Sequence, residues 1–240
     1  MLFAEWRLIF TGAADGYVNM AIDEATLLLV GERRVPPTVR IYYWDTPCYT
    51  VGYLQHVSDL KPSLSRHSEC KYVRRLTGGQ ACLHGGDLSY SLIVSMTDTL
   101  IPSSVLDSYA RISSGVIEGL RLLGIDARYV PPAEVQVDGH VIATAAQTRR
   151  QGTLLHQGTI ALGPPGVERA PMLPCRALTP LSDLIGGEIN IEDAARALGM
   201  GLKRALGVDL SPSVLFAKEK RLARQLLREK YMRPEWTFSR

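Results

Sequence analysis

The chain has 240 residues, 46% hydrophobic and 21% charged, with a formal net charge of +3. That length fits one large domain, alone or with a small appendage, and buries a core without staples. There is no apolar run of about 18 residues, which excludes a membrane-spanning helix, and the opening MLFAEWRLIF lacks the basic start of a cleaved signal.

The charge is uneven. Residues 218–240 hold eight Lys or Arg against three Glu, a local +5, so the rest of the chain sums to −2. A basic tail of this kind suits an acidic partner or forms the solvated face of a terminal helix. No nucleic-acid motif is present, and no basic stretch is interleaved with base-stacking aromatics. Only six of the 27 basic residues are Lys, and none falls between Lys71 and Lys203. The central chain therefore has no ammonium to use as a nucleophile or phosphate clamp. Cys48, Cys70, Cys82 and Cys175 are scattered, without CxxC or zinc spacing. The expectation is a reducing, cytoplasmic location and no structural metal.

In chain order, residues 4–10 alternate as a strand does, and Asn19 to Val30 has helical spacing ending at Gly31. Strands are predicted over 35–44, 49–55 and 71–76, and Leu88, Tyr90, Leu92 and Val94 alternate through another at 87–95. Val105, Tyr109, Ile112, Val116, Leu120 and Leu123 mark an amphipathic helix closed by Gly124. Strand-like segments follow at 127–130, 134–137, 140–146 and 153–162, with Asp138-Gly139 as a hairpin turn. Residues 163–174 read as a Gly/Pro-rich loop, and 191–206 and 212–231 as helices. This order predicts an α+β fold with a mixed, largely antiparallel sheet flanked by helices. Residues 1–185 form its main body and 186–240 a C-terminal helical segment packed on the same domain.

The segment VRRLTGGQACLHGGDLSYS, 73–91, carries the most chemistry. Glycines let backbone N–H groups approach a ligand closely, and guanidinium groups supply bidentate positive charge, so the pattern suits an anionic or carbonyl-bearing ligand. It resembles the RRxTGGGAVxHxGDLxYS signature of lipoate-protein ligases and octanoyltransferases. Further likenesses run in order along the chain. NMAIDEA at 19–25 is similar to NMAxDEAL, and residues 37–55 to PxLRxYxWxxPxxSxGYxQ. Residues 137–159 resemble VNGKKIxGSAQxR…HHGT, and 230–238 resemble KYxxxEWxF. The overall look is nearest to the octanoyltransferase branch with ligase-like architecture.

The resemblance implies an acyl chain held in a hydrophobic tunnel and transferred, as octanoate or lipoate, to a lysine of a lipoyl carrier domain. That carrier would belong to a dehydrogenase complex or be a glycine cleavage carrier protein. Arg75, Thr77, Gly78, Gly79 and His84 match the binding loop, and Ala146, Gly158 and Thr159 the second wall. His156 reads as structural and Cys82 as a small apolar wall residue.

Two departures stand out. Gln80 replaces the third glycine of the loop, and Val141 occupies the place of the family lysine. Valine offers no charge, hydrogen bond or proton. Cys175, in MLPCR, is the candidate nucleophile of a thioester-dependent transferase. An ATP-dependent ligase, with Mg, would need Arg149, Arg150 or an accessory subunit to complete its site. A noncatalytic acyl-binding subunit is the third reading.

Overall fold

The computed structural model describes residues 5–56, 71–167 and 177–240. β1 (Trp6–Ala14) runs into Asp15, whose carboxylate caps α1 (Gly16–Gly31) by accepting the Tyr17 N–H at 2.7 Å. α1 crosses to β2 (Thr38–Trp44), which pairs parallel with β1; parallel neighbours need such a crossover. β3 (Cys48–Val51), β4 (Lys71–Arg74) and β5 (Cys82–His84) form a small separate sheet in the order β4-β3-β5. The strand expected over 49–55 stops at Val51, because Gln55 N–H turns back onto the Gly52 carbonyl. β6 (Asp87–Ser95) follows, then α2 (Val105–Leu122). The long hairpins come next: β7 (Arg128–Val130), β8 (Glu134–Val137), β9 (His140–Arg150) and β10 (Thr153–Ala161).

With β11 (Leu210–Ser213), the main sheet has eight strands in the order β11-β1-β2-β6-β10-β9-β8-β7, parallel only where β1 meets β2 and β11. It is the mixed, largely antiparallel sheet that the element order predicts. Asp138 and Gly139 both take positive φ, as a tight two-residue hairpin turn requires.

The C-terminal segment is less purely helical than its composition predicts. α3 (Leu181–Ile185) and α4 (Ile191–Leu206) are followed by β11 (Leu210–Ser213), which pairs parallel with the edge strand β1. Helix then resumes as α5 (Ala217–Leu226), a π turn (Leu227–Tyr231) and α6 (Pro234–Thr237).

The two faces of the sheet differ in chemistry. Leu88, Tyr90, Leu92 and Val94 join the main apolar core with Ile112, Val116, Leu198 and Leu202. α2 and α4 approach closely over this face: a Cβ on Gly201 would run into the backbone of Gly115 and Gly119. The opposite face lies under α1 and carries buried polar side chains. α5 is fastened outside α1 by a buried bidentate pair, Arg7 Nη1 and Nη2 on Glu219 at 2.8 and 2.5 Å.

Candidate active site

Strand register assembles the site. Arg40, Ser91 and Gln157 form one row across β2, β6 and β10, and Tyr42, Ser89 and Thr159 the next. Because side chains alternate along a strand, both rows share the face beneath α1. Asp23, on α1, meets them. Its Oδ1 accepts from Arg40 Nη1 at 2.7 Å and Ser91 Oγ at 2.8 Å, and its Oδ2 from Gln157 Nε2 at 2.7 Å. Beside this floor lies a cavity of about 420 Å³. Its walls include Met20, Tyr42, Trp44 and Tyr109, the Gly78–Gln80 turn, and β9 from Thr144 to Gln147.

The glycine turn is held from within by Arg75. All five of its N–H groups are committed: Nε to Thr77 Oγ1, Nη1 to the Thr50 carbonyl and hydroxyl, and Nη2 to the carbonyls of Gly78 and Gln80, at 2.5 to 3.1 Å. Arg75 thus folds the loop and gives the cavity positive charge through space. It does not offer a ligand a bidentate fork. Thr77 Oγ1 donates to Gln157 Oε1 at 2.7 Å, which links the loop through Gln157 to Asp23. A Cβ on Gly52 would overlap the Gly79 carbonyl, so this close approach admits only glycine there.

His84 is a second buried cation of the cavity wall. Its Nδ1 lies 2.8 Å from Asp87 Oδ2, its Nε2 lies 2.9 Å from Thr50 Oγ1, and its ring stacks on Trp44 at 4.0 Å. Burial disfavours the charge, but the Asp87 carboxylate overrides it, with Cys82 adding to the effect, and His84 is pushed up to about 10. Asp87 shows the converse: burial raises its carboxyl, yet the His84 charge and surrounding donors carry it below the usual carboxylate range.

The structure brings most of the expected residues together. Arg75, Gly78, Gly79, Gln80, His84, Ala146, Gly158 and Thr159 line the cavity, and Thr77 lies buried behind the loop. Thr144 also lines it, where the quoted signature has glycine. Val141 is not among the lining residues; it sits opposite Gln136 in the β8–β9 hairpin, its carbonyl accepting the Thr179 N–H. Arg149 bonds the Ser103 and Ser104 carbonyls, and Arg150 covers the Tyr53 ring at 4.0 Å. Cys175 lies outside the described residues. Trp44, Thr50, Asp23 and Gln157 were not singled out from the sequence, although all four lie within the quoted motifs at 19–25, 37–55 and 137–159.

His156 belongs to the other face of the sheet. It is buried against Tyr90 OH at 3.1 Å and Gln147 Nε2 at 2.9 Å, and burial pushes it down to about 3. Its folded-state value lies below the unfolded 6.5, so stability is complete above pH 6.5 and declines as pH falls from there toward 3. At pH 5 the expected loss from this one group is about 2 kcal/mol. Urea denaturation at pH 7 and pH 5 checks it: His156→Gln should lose that much less than the parent between the two.

Among the described residues no cluster of three His, Cys, Asp or Glu side chains could hold a metal, and no helix is long and apolar enough to cross a membrane. Residues 15–203 match the family model described as lipoyl protein ligase A/B catalytic domain. The octanoyltransferase LipM of Kyrpidia tusciae is 34% identical, with 97% of this chain and 98% of that protein covered. A crystal structure of lipoate-protein ligase A bound with ATP matches at TM-score 0.81 and 25% identity, covering 98% of each chain. A bipartite lipoate protein ligase from Thermoplasma acidophilum, studied with its E2 lipoyl domain, matches at TM-score 0.79 and 23% identity. It covers 98% of this chain and 97% of that one, and this likeness is one of fold.

Proposed function

Because the chain belongs to the lipoyl protein ligase A/B catalytic domain family, we propose that it transfers an octanoyl or lipoyl group to a lysine of a lipoyl carrier domain. The observation that carries this reading is the cavity of about 420 Å³, with an aromatic and alanine wall facing a glycine turn and a buried histidine–carboxylate pair. Its apolar part suits a medium-length acyl chain, and its polar end suits a reacting carbonyl.

The donor favoured by the geometry is an acyl thioester rather than free acid plus ATP. A nucleotide polyphosphate needs charge-bearing donors aimed into the site. Among the described residues, the lining holds no lysine, and its one arginine has every N–H committed. With Arg75 held by Thr50 of β3 as well as by the loop, these residues do not fit a nucleotide, whereas a neutral thioester makes no such demand.

The test is mass spectrometry of a carrier domain after incubation with the protein and an octanoyl thioester, or with lipoate and ATP. The expected result is one octanoyl group on the carrier lysine in the first mixture and none in the second. Modification in neither mixture, with lipoate or octanoate still bound by calorimetry, would leave a noncatalytic acyl-binding subunit instead.

The carrier partner is expected to be acidic on its docking side. Arg221, Arg224 and Arg228 are exposed on and just after α5, within the basic segment 218–240. Exposed charges of one sign raise encounter rates at low salt and are screened within about 10 Å at 0.1 M. Reversing all three to Glu should therefore slow carrier modification several-fold at low ionic strength, a difference that disappears in 1 M salt. Initial rates against carrier concentration at the two salt levels check this.

A further inference from the structure

The family position for a reactive lysine is Val141, which does not line the cavity, yet the cavity wall holds a thiol and an imidazole of its own. Cys82 and His84 are two residues apart on β5, so both side chains leave the strand on the same side, and both line the cavity. Leu83, between them, does not. His84 Nε2 lies 2.9 Å from the hydroxyl of Thr50, the residue paired across from Cys82, while its other nitrogen, Nδ1, is 2.8 Å from Asp87 Oδ2. Trp44 fixes the ring plane by stacking at 4.0 Å and 20° and sends its own Nε1–H to Asp87 Oδ2 at 3.1 Å. Asp87 is anchored in turn by the Gly85 N–H at 2.9 Å and by the hydroxyls of Ser89 and Thr159. A thiol, an imidazole beside it and a carboxylate behind the imidazole form the arrangement that activates cysteine for acyl transfer. Cys48, the other cysteine among the described residues, is buried and does not line the cavity.

We propose that Cys82 is the acyl-accepting nucleophile of this site, with His84 as its acid–base partner and Asp87 as the residue that orients His84. This rests on the transfer reading above. In the first half-reaction the Cys82 thiolate attacks the carbonyl of the donor thioester. The new Cys82–acyl bond forms as the donor C–S bond breaks, and His84 gives its Nε2 proton to the departing thiolate. In the second half-reaction the neutral amine of the carrier lysine attacks the acyl-Cys82 carbonyl. The amide forms, the C–S bond to Cys82 breaks, and His84 takes the surplus proton of the amine. The starting forms of Cys82 and His84 are thereby restored, with no oxidant or reductant involved.

The experiment is a reaction of the full chain with octanoyl thioester in the absence of carrier, followed by tryptic digestion. Each of the four cysteines falls in a different tryptic peptide, and Cys82 lies in the one spanning 76–111. The expected result is one octanoyl group on that peptide, released by hydroxylamine and passed to carrier when carrier is added. Cys82→Ala should abolish the adduct and slow carrier modification on the order of 100-fold or more. His84→Gln should slow alkylation of Cys82 by iodoacetamide at neutral pH, a reactivity that a merely packed histidine would not control. Thermal denaturation of both variants identifies any that fail to fold; in that case Cys82→Ser, closer in size, replaces the alanine variant. An adduct on Cys175, or full carrier modification by folded Cys82→Ala, overturns the assignment while leaving the transfer reading intact. No adduct and no carrier modification by the parent protein overturns both.

Discussion

Replacing Asp87 by asparagine is expected to lower the His84 ring well below about 10 and to slow acyl transfer by roughly 100- to 10,000-fold. The reason is the donor count around one carboxylate. Oδ2 of Asp87 accepts from His84 Nδ1, Trp44 Nε1, Ser89 Oγ and Thr159 Oγ1, and Oδ1 accepts from the Gly85 N–H. An amide keeps one acceptor oxygen and turns two N–H donors toward groups that are themselves donors. With the carboxylate gone, burial, which favours the neutral ring, is opposed on His84 only by the smaller influence of Cys82. In the parent, His84 is raised, so its share of stability is present below 6.5 and is lost as pH climbs through about 10. Asp87 is lowered, so its share is present above 3.8 and is lost as pH falls through its depressed value. The pair therefore stabilises the fold across the whole neutral range. Breaking it on one side should cost about 3–5 kcal/mol, as for other buried ion pairs left with one partner. NMR titration of the His84 ring, with urea denaturation at several pH values, reads both effects. An unchanged His84 titration in Asp87→Asn would show that the carboxylate does not hold the charge.

Much of this site is legible in the sequence because local motifs carry it. The glycine turn, Arg75, His84 and the β9–β10 wall stand in recognisable order, and period-two alternation marks β6 directly. What escapes is set by contacts between distant segments. Arg75 reads as a ligand clamp, yet its donors are used by Thr50, a residue 25 positions away, and by carbonyls that meet only when the loop closes. β11 reads as the start of a helix region because LSPS has neither alternation nor β-branched residues; it is a strand only because the edge of β1 is there to pair with. Asn19 and Asp23 are polar residues of the 19–25 helix motif whose burial no local pattern marks. They are buried because Arg40 rises from the sheet to meet them. Cys82 reads as a small wall residue by its type, and only the strand geometry that sets it beside His84 changes that.

The second large effect is expected at Asp23. Among the described residues its carboxylate is the one that ion-pairs with Arg40, whose side chain is fully buried over the Tyr42 ring at 3.9 Å. Arg40 further donates to Thr11 Oγ1, the Asn19 carbonyl and Asn19 Oδ1, so the guanidinium is satisfied only while α1 stays seated on the sheet. Asp23→Ala leaves a buried cation without its counter-charge and should destabilise the protein by about 3–5 kcal/mol in urea denaturation. The double variant Asp23→Leu with Arg40→Met removes both charges and keeps the volume; it should recover most of that loss, since an apolar pair of similar size often matches a buried ion pair. Function should not recover with it. Gln157 bridges Asp23 to Thr77, so without the carboxylate the glycine turn is tied through Gln157 to α1 only by the weak Gln157 Nε2–Met20 Sδ contact at 3.5 Å. The double variant is therefore expected to fold nearly as stably as the parent yet bind octanoyl donor about tenfold more weakly, which calorimetry can read. Recovery of both stability and affinity would mean that Asp23 supports the sheet alone and that the turn is positioned without it.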